Sequence, residues 1–189
     1  MTDAGMIGSA VAEPNDVLAF WRTAGPQKWY TKDSDFDAEI TRRFLLTYEA
    51  AVADRLLHWE DTPAGALALV ITLDQFPRNM FRGSAHTFAA DALARAVADR
   101  ALARGFDQRI ATSERQFLYL PFEHSEDPAD QERSVALFRA NSDAEALKWA
   151  ELHADIIRRF GRFPHRNAIL GRAMTPAEQA FLDSGGFAG

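Results

Sequence analysis

Apolar residues along this chain recur every three or four positions and seldom alternate with polar ones, the signature of helices packed by one face. Phe36, Ile40, Phe44, Tyr48 and Val52 form one such stripe, opened by Ser34 with Asp37. Asn15 is placed to cap a shorter helix through Phe20 and Trp21. Thr62 followed by Pro63 supplies a cap and a first-turn proline for a helix running to about Asp74. Ser84 is expected to begin an Ala-rich helix closed at Gly105, where glycine suits a left-handed cap. Ser113 with Gln116 starts a shorter segment that Pro121 is expected to interrupt, since proline lacks an amide donor and crowds the preceding turn. Ser125 can cap a helix beginning near Pro128, and Ser142 with Glu145 and Thr175-Pro176-Ala177-Glu178 read as capping boxes. The pattern predicts an all-α chain of about eight helices whose short connections favour antiparallel hairpins. No Ser/Gly/Pro-rich linker divides it, so residues 1–189 are expected to form one domain, with residues 1–13 a flexible tail.

At 189 residues and 47% hydrophobic composition the chain can bury a substantial core. Its formal net charge of −6 argues against general affinity for nucleic acid, so any anion site has to be local. The absence of cysteine removes thiolate metal sites and disulfides. The run from Ala64 to Leu73 is too short to span a bilayer, and the first residues lack the charged region of a secretory signal. A cytoplasmic protein without membrane partners is therefore expected. No sequence pattern implies a cofactor or sets the oligomeric state.

Within this acidic chain, RFGRFPHRNAILGR (Arg159–Arg172) concentrates positive charge among apolar anchors. It echoes Phe76-Pro77-Arg78-Asn79 with Arg82-Gly83 in Phe163-Pro164-His165-Arg166-Asn167 with Gly171-Arg172, which suggests two similar helix-loop-helix corners. Together with Leu18-Ala19-Phe20-Trp21, Trp29-Tyr30, Phe36-Asp37, LALVITLDQFPRNMFRGS (Leu67–Ser84) and YLPFEHSED (Tyr119–Asp127), these motifs resemble the bacterial family known as domain of unknown function 924. That resemblance implies a helical fold similar to tetratricopeptide repeats and no assigned activity. Glu123 and Arg22 depart from the family's usual apolar and aromatic residues.

Three polar clusters carry the candidate chemistry. Asp74, at the end of an apolar run, needs a hydrogen-bonding or charged partner if buried, and Gln75, Arg78, Asn79 and Arg82 stand close by. In the run Glu123-His124-Ser125-Glu126-Asp127, His124 reads as a base or metal ligand oriented by Glu126 or Asp127, while Ser125, Glu126 and Asp127 also suit the start of a helix. His153 shares the inward stripe of Ile156, Ile157 and Phe160, while Arg162, His165, Arg166 and Asn167 follow at the turn after Gly161. Asp74 or the Glu126/Asp127 pair is expected to bond an arginine from residues 158–172. Three readings follow. In the first, Arg78, Asn79, Arg82, Arg162, Arg166 and Asn167 hold a small anionic ligand or a peptide carboxylate, with Arg162 the better ligand candidate and Arg166 a clamp. In the second, a hydrolase-type enzyme uses His124, His153, His165 and Asp74 or Glu126, around a metal or as acid and base. In the third, the clusters only lock helices together. No ligand spacing specifies a metal, so none is expected.

Overall fold

Ten α-helical segments, and no strand, run through residues 10–189, the residues that the computed structural model describes. Of the expected tail, residues 1–9 lie outside the described residues. The amide of Ala12 donates to Thr47 Oγ1 at 2.9 Å, and Glu13 rather than Asn15 caps the first helix, α1 (Pro14–Ala24), in a reciprocal box with Asp16. A four-residue helix, α2 (Pro26–Trp29), leads to α3 (Ser34–Val52), whose cap is Asp33, one residue ahead of Ser34; its Oδ1 accepts from the amides of Asp35 and Phe36. The described residues divide into two compact units, one of residues up to 82 with 86–121 and one of residues 83–85 with 122–189.

The first unit packs α1, α3, α4 (Pro63–Val70), α5 (Phe76–Met80) and α6 (Asp91–Ala103) around an aromatic core. Trp21 stacks on Trp29 and Phe36 and meets Phe76 and Phe117 edge-on. Edge-to-face rings of this kind add attraction beyond the area they bury. Thr62 caps α4 as expected, through a 3.0 Å bond from the Gly65 amide. The helix from Pro63 continues past Asp74, because Ile71–Gln75 widens into a π-helical turn in which the Phe76 amide donates to the Ile71 carbonyl. Pro77 explains the widening: it has no amide to give the carbonyl four residues back and its ring would crowd that carbonyl. The turn splits one predicted helix into two, which with the short α2 raises the count above eight.

Other boundaries move for local reasons. Ser84 does not open α6, which starts at Asp91 after a 3₁₀ turn over Ala85–Phe88 in which Thr87 Oγ1 donates to the Phe81 carbonyl. Pro121 does not interrupt α7 (Gln116–Glu123) but lies inside it, the burial of Phe117, Leu118 and Tyr119 outweighing one lost bond. In the second unit, Asp127 rather than Ser125 caps α8 (Pro128–Ala140), and Ser125 Oγ instead donates to Asp130 at 2.7 Å. Asp143 rather than Ser142 caps α9 (Ala144–Phe160), Ser142 taking the left-handed φ of 57° that the α8–α9 turn requires. Thr175 and Glu178 form the expected box on α10 (Pro176–Asp183). The core of this unit is Ile156, Ile157 and Phe163, flanked by Phe160, Phe181 and Phe187.

Gly65 is fixed by space alone. A Cβ there would lie 2.1 Å from the Trp59 carbonyl oxygen, a backbone atom of the preceding 3₁₀ turn. Gly65→Ala is therefore expected to destabilise the protein by about 2 to 3 kcal/mol through overpacking, and thermal unfolding should show a drop of roughly 4 to 10 °C.

Candidate functional site

The first polar corner forms where the π-helical turn meets α5. Asp74 is fully buried, and Gln75 Nε2 donates to its Oδ2 at 2.5 Å. Arg78 reaches back to the Asp74 carbonyl and lies 3.4 Å from its carboxylate, while its two terminal nitrogens bond Asp91 at 3.0 and 3.2 Å. Burial pulls the Arg78 pKa down, but Asp74 and Asp91 outweigh it and raise the value. On the same helix, Asn79 Nδ2 donates to Asp37 Oδ1 at 2.7 Å, and Arg82, just beyond the helix end, grips both oxygens of Asp37 at 2.8 and 3.0 Å. All these residues belong to the first unit.

The second corner belongs to the second unit and follows the left-handed cap at Gly161, φ 68°. Arg172 bonds both Glu126 oxygens at 2.7 and 3.0 Å, the Asn167 side-chain oxygen at 2.9 Å and the Phe163 carbonyl at 3.2 Å. Glu126 also accepts from the Phe163 amide at 2.8 Å. Burial would raise the Glu126 pKa, yet the bonds from Arg172 and Phe163 hold it below the ordinary 4.5. The expected arginine partner of the acidic pair is thus Arg172, whereas Asp127 is committed to capping α8.

Arg162, expected as the ligand candidate, bonds both oxygens of the buried Glu178 at 2.6 and 2.8 Å and the Ala173 carbonyl at 2.9 Å. Those bonds, with the cap at Thr175, hold the Glu178 carboxyl far below the usual carboxylate range. Arg166 is buried, lies 4.4 Å over the Phe163 ring and donates to the His124 carbonyl at 3.0 Å. Asn167, fully buried, joins Arg172 and also approaches Met174 Sδ at 3.4 Å.

The histidines separate into different environments. His153 Nδ1 stands 2.8 Å from the Trp149 carbonyl and 3.3 Å from Glu123 Oε1, both side chains being buried. Two acceptors at Nδ1 place a ring proton there. His165 Nδ1 is buried without a hydrogen-bond partner among the described residues. Its pKa is pushed down to about 3, chiefly by burial and then by the charge of Arg166. Among the described residues no group of three or more carboxylate and imidazole side chains is placed to hold a metal ion. A groove of about 840 Å³ in the first unit is floored by Phe20, Phe36 and Phe44 and rimmed by Lys28, Glu39 and Arg43; none of the sequence-predicted site residues lines it.

Sequence reasoning missed the roles of Asp37, Asp91 and Glu178. All three sit in first helical turns, where their value to the helix start hides a second use.

A family model described as "Bacterial protein of unknown function (DUF924)" matches residues 17–186. A solved structure titled "Structure of Protein of Unknown Function ATU0120 from Agrobacterium tumefaciens" is 47% identical in sequence. The match covers 90% of this chain and 97% of that one, with a TM-score of 0.88. No protein of curated function is similar enough in sequence to match.

Two expectations follow from this geometry. Arg172→Met strips Glu126 of its two-pronged arginine partner; both side chains keep about a quarter of their exposure, which places the loss at about 1 to 3 kcal/mol near neutral pH. Because the Glu126 pKa is depressed when folded, its contribution is present above the unfolded value of 4.5 and is lost as pH falls below it. The melting-temperature gap between variant and parent should therefore narrow below about pH 4.5. His165 has the opposite partner problem: it stays neutral in the fold but protonates when unfolded, at 6.5. Its contribution is complete above pH 6.5 and declines toward about 3, at roughly 1.4 kcal/mol per pH unit. Denaturant titrations of His165→Gln between pH 6.5 and 4 should show a shallower acid decline than the parent.

Proposed function

The chain belongs to the bacterial family of unknown function DUF924, and on that footing we propose that it is a helical binding module, similar in plan to tetratricopeptide hairpins, that takes a small anionic ligand or a peptide carboxylate at the Arg166 corner. The observation that carries the reading is the setting of Arg166: a guanidinium buried in an acidic protein, held flat over Phe163 by a 4.4 Å contact and beside Asn167. In such a setting an anion meets a planar donor fork in a low dielectric, where charge-assisted bonds are strong. Arg78, Arg82 and Arg162 each bond a carboxylate. Their part in it is to hold the corners rigid.

A second reading, acid–base chemistry, draws on the Glu123–His153 pair. A carboxylate 3.3 Å from Nδ1 fixes the ring's orientation and tautomer, as catalytic imidazoles require.

The test is a thermal-shift titration of phosphate, succinate and an acetylated peptide with a free carboxylate, at low ionic strength. At a hundredfold excess over the dissociation constant a bound anion should add about 2.7 kcal/mol, or roughly 5 to 10 °C. Arg166→Met should abolish that response. An Arg166→Met protein that still responds fully, or a parent stabilised by none of the three anions, overturns the reading.

A further inference from the structure

The segment after α10 is steered by two glycines. Gly185, at φ 83°, donates to the Leu182 carbonyl, and Gly186 donates to the Phe181 carbonyl at 2.9 Å, the paired bonds of a Schellman cap. Gly186 has no room for a side chain: a Cβ would lie 2.5 Å from the Phe181 carbonyl oxygen and 2.6 Å from its ring. This cap turns the chain back so that the half-buried Phe187 enters a slot walled by Trp149, His153, Phe163 and His165. Its ring centroid lies 4.5 Å from His153, 5.1 Å from His165 and 6.3 Å from Trp149, with interplanar angles of 65°, 84° and 58°. Phe163 and the two isoleucines of α9 form the apolar floor. Among the described residues no backbone–backbone hydrogen bond ties down residues 187–189, which are held by the Phe187 ring and by the close approach of Gly189 to His165.

We propose that this slot is a peptide-binding site for a phenylalanine flanked by small residues, and that Phe187 occupies it in cis. The geometry is that of a ligand in a pocket. One ring enters edge-to-face against two imidazoles, the flanking Gly186 and Ala188 offer no bulk, and the attached backbone makes no ladder with the helices. Trp149, 44% exposed, stands at the rim, where an incoming chain would meet it. Segments with so few fixed contacts open at low cost, so a peptide of the same chemistry supplied in trans competes with the tail. The inference is separate from the anion reading, since it needs neither Arg166 nor a charged ligand.

The experiment uses a fluorescein-labelled peptide with the sequence of residues 183–189, titrated by polarisation against three full-length chains. These are the parent, Phe187→Ala, which empties the slot, and Gly186→Ala, which drives the tail away while leaving every slot residue in place. Both variants should bind the peptide at least about tenfold more tightly than the parent, whose tail competes at a high effective concentration. The same peptide with alanine in place of its phenylalanine should bind none of them. Equal affinity for parent and both variants, or no binding to either variant while each retains the parent's helical circular dichroism, overturns the proposal. Should one variant lose that signal, the other decides. A parent dimer exchanging tails between copies, visible as a doubled mass at high concentration, would also overturn occupancy in cis.

Discussion

A charge taken out of water must meet an opposite charge or a set of aligned dipoles, and both units of this protein are organised by that requirement. In the first, Asp37 on α3 is held by Asn79 and Arg82 from the far side of the π-helical turn. In the second, Glu126 ahead of α8 is held by Arg172, which is itself braced by Asn167. Each is a carboxylate on one helix or its approach, gripped by an arginine whose neighbour in the corner is an asparagine. The echo between the two Phe-Pro corners is thus one of chemistry as well as of sequence. The two asparagines differ in what they offer, one donating its amide to the carboxylate and the other accepting from the arginine.

These grips assign different work to arginines that look alike in the sequence. Arg78, Arg82, Arg162 and Arg172 each meet a carboxylate and fix one helix relative to another. Such pairs contribute geometry more than net stability, because the cost of drying both charges offsets most of their attraction. Arg166 also rests on an aromatic face, 4.4 Å over the Phe163 ring, and donates to the His124 carbonyl, so it too ties its corner together.

Most of the helices were legible because their signals are local. The stripe from Phe36 to Tyr48, the Thr62-Pro63 start and the Thr175–Glu178 box all behave as their spacing dictates. The errors share one origin. Ser84 and Pro121 obey good local rules that lose to tertiary packing, and Ser125 and Ser142 lose their caps to an aspartate one or two residues on, which bonds the amides better. The candidate residues were legible as types, since buried polar side chains beside apolar runs stand out. Their partners were not. Nothing near Asp91 announces Arg78, and nothing near Glu178 announces Arg162, because those pairings exist only once helices distant in sequence lie side by side.

The π-helical turn has a consequence for reading frame rather than for energy. Each residue of a helix turns its successors by about 100°, so the one extra residue absorbed between Ile71 and Gln75 sets the compass bearing of everything that follows. Arg78, Asn79 and Arg82 find Asp91 and Asp37 only on that bearing. A chain with one residue deleted from this stretch would still wind a sound helix, and would aim the whole corner at the wrong neighbours. The length of that segment is therefore information in its own right, carried by a count of residues and not by the identity of any of them.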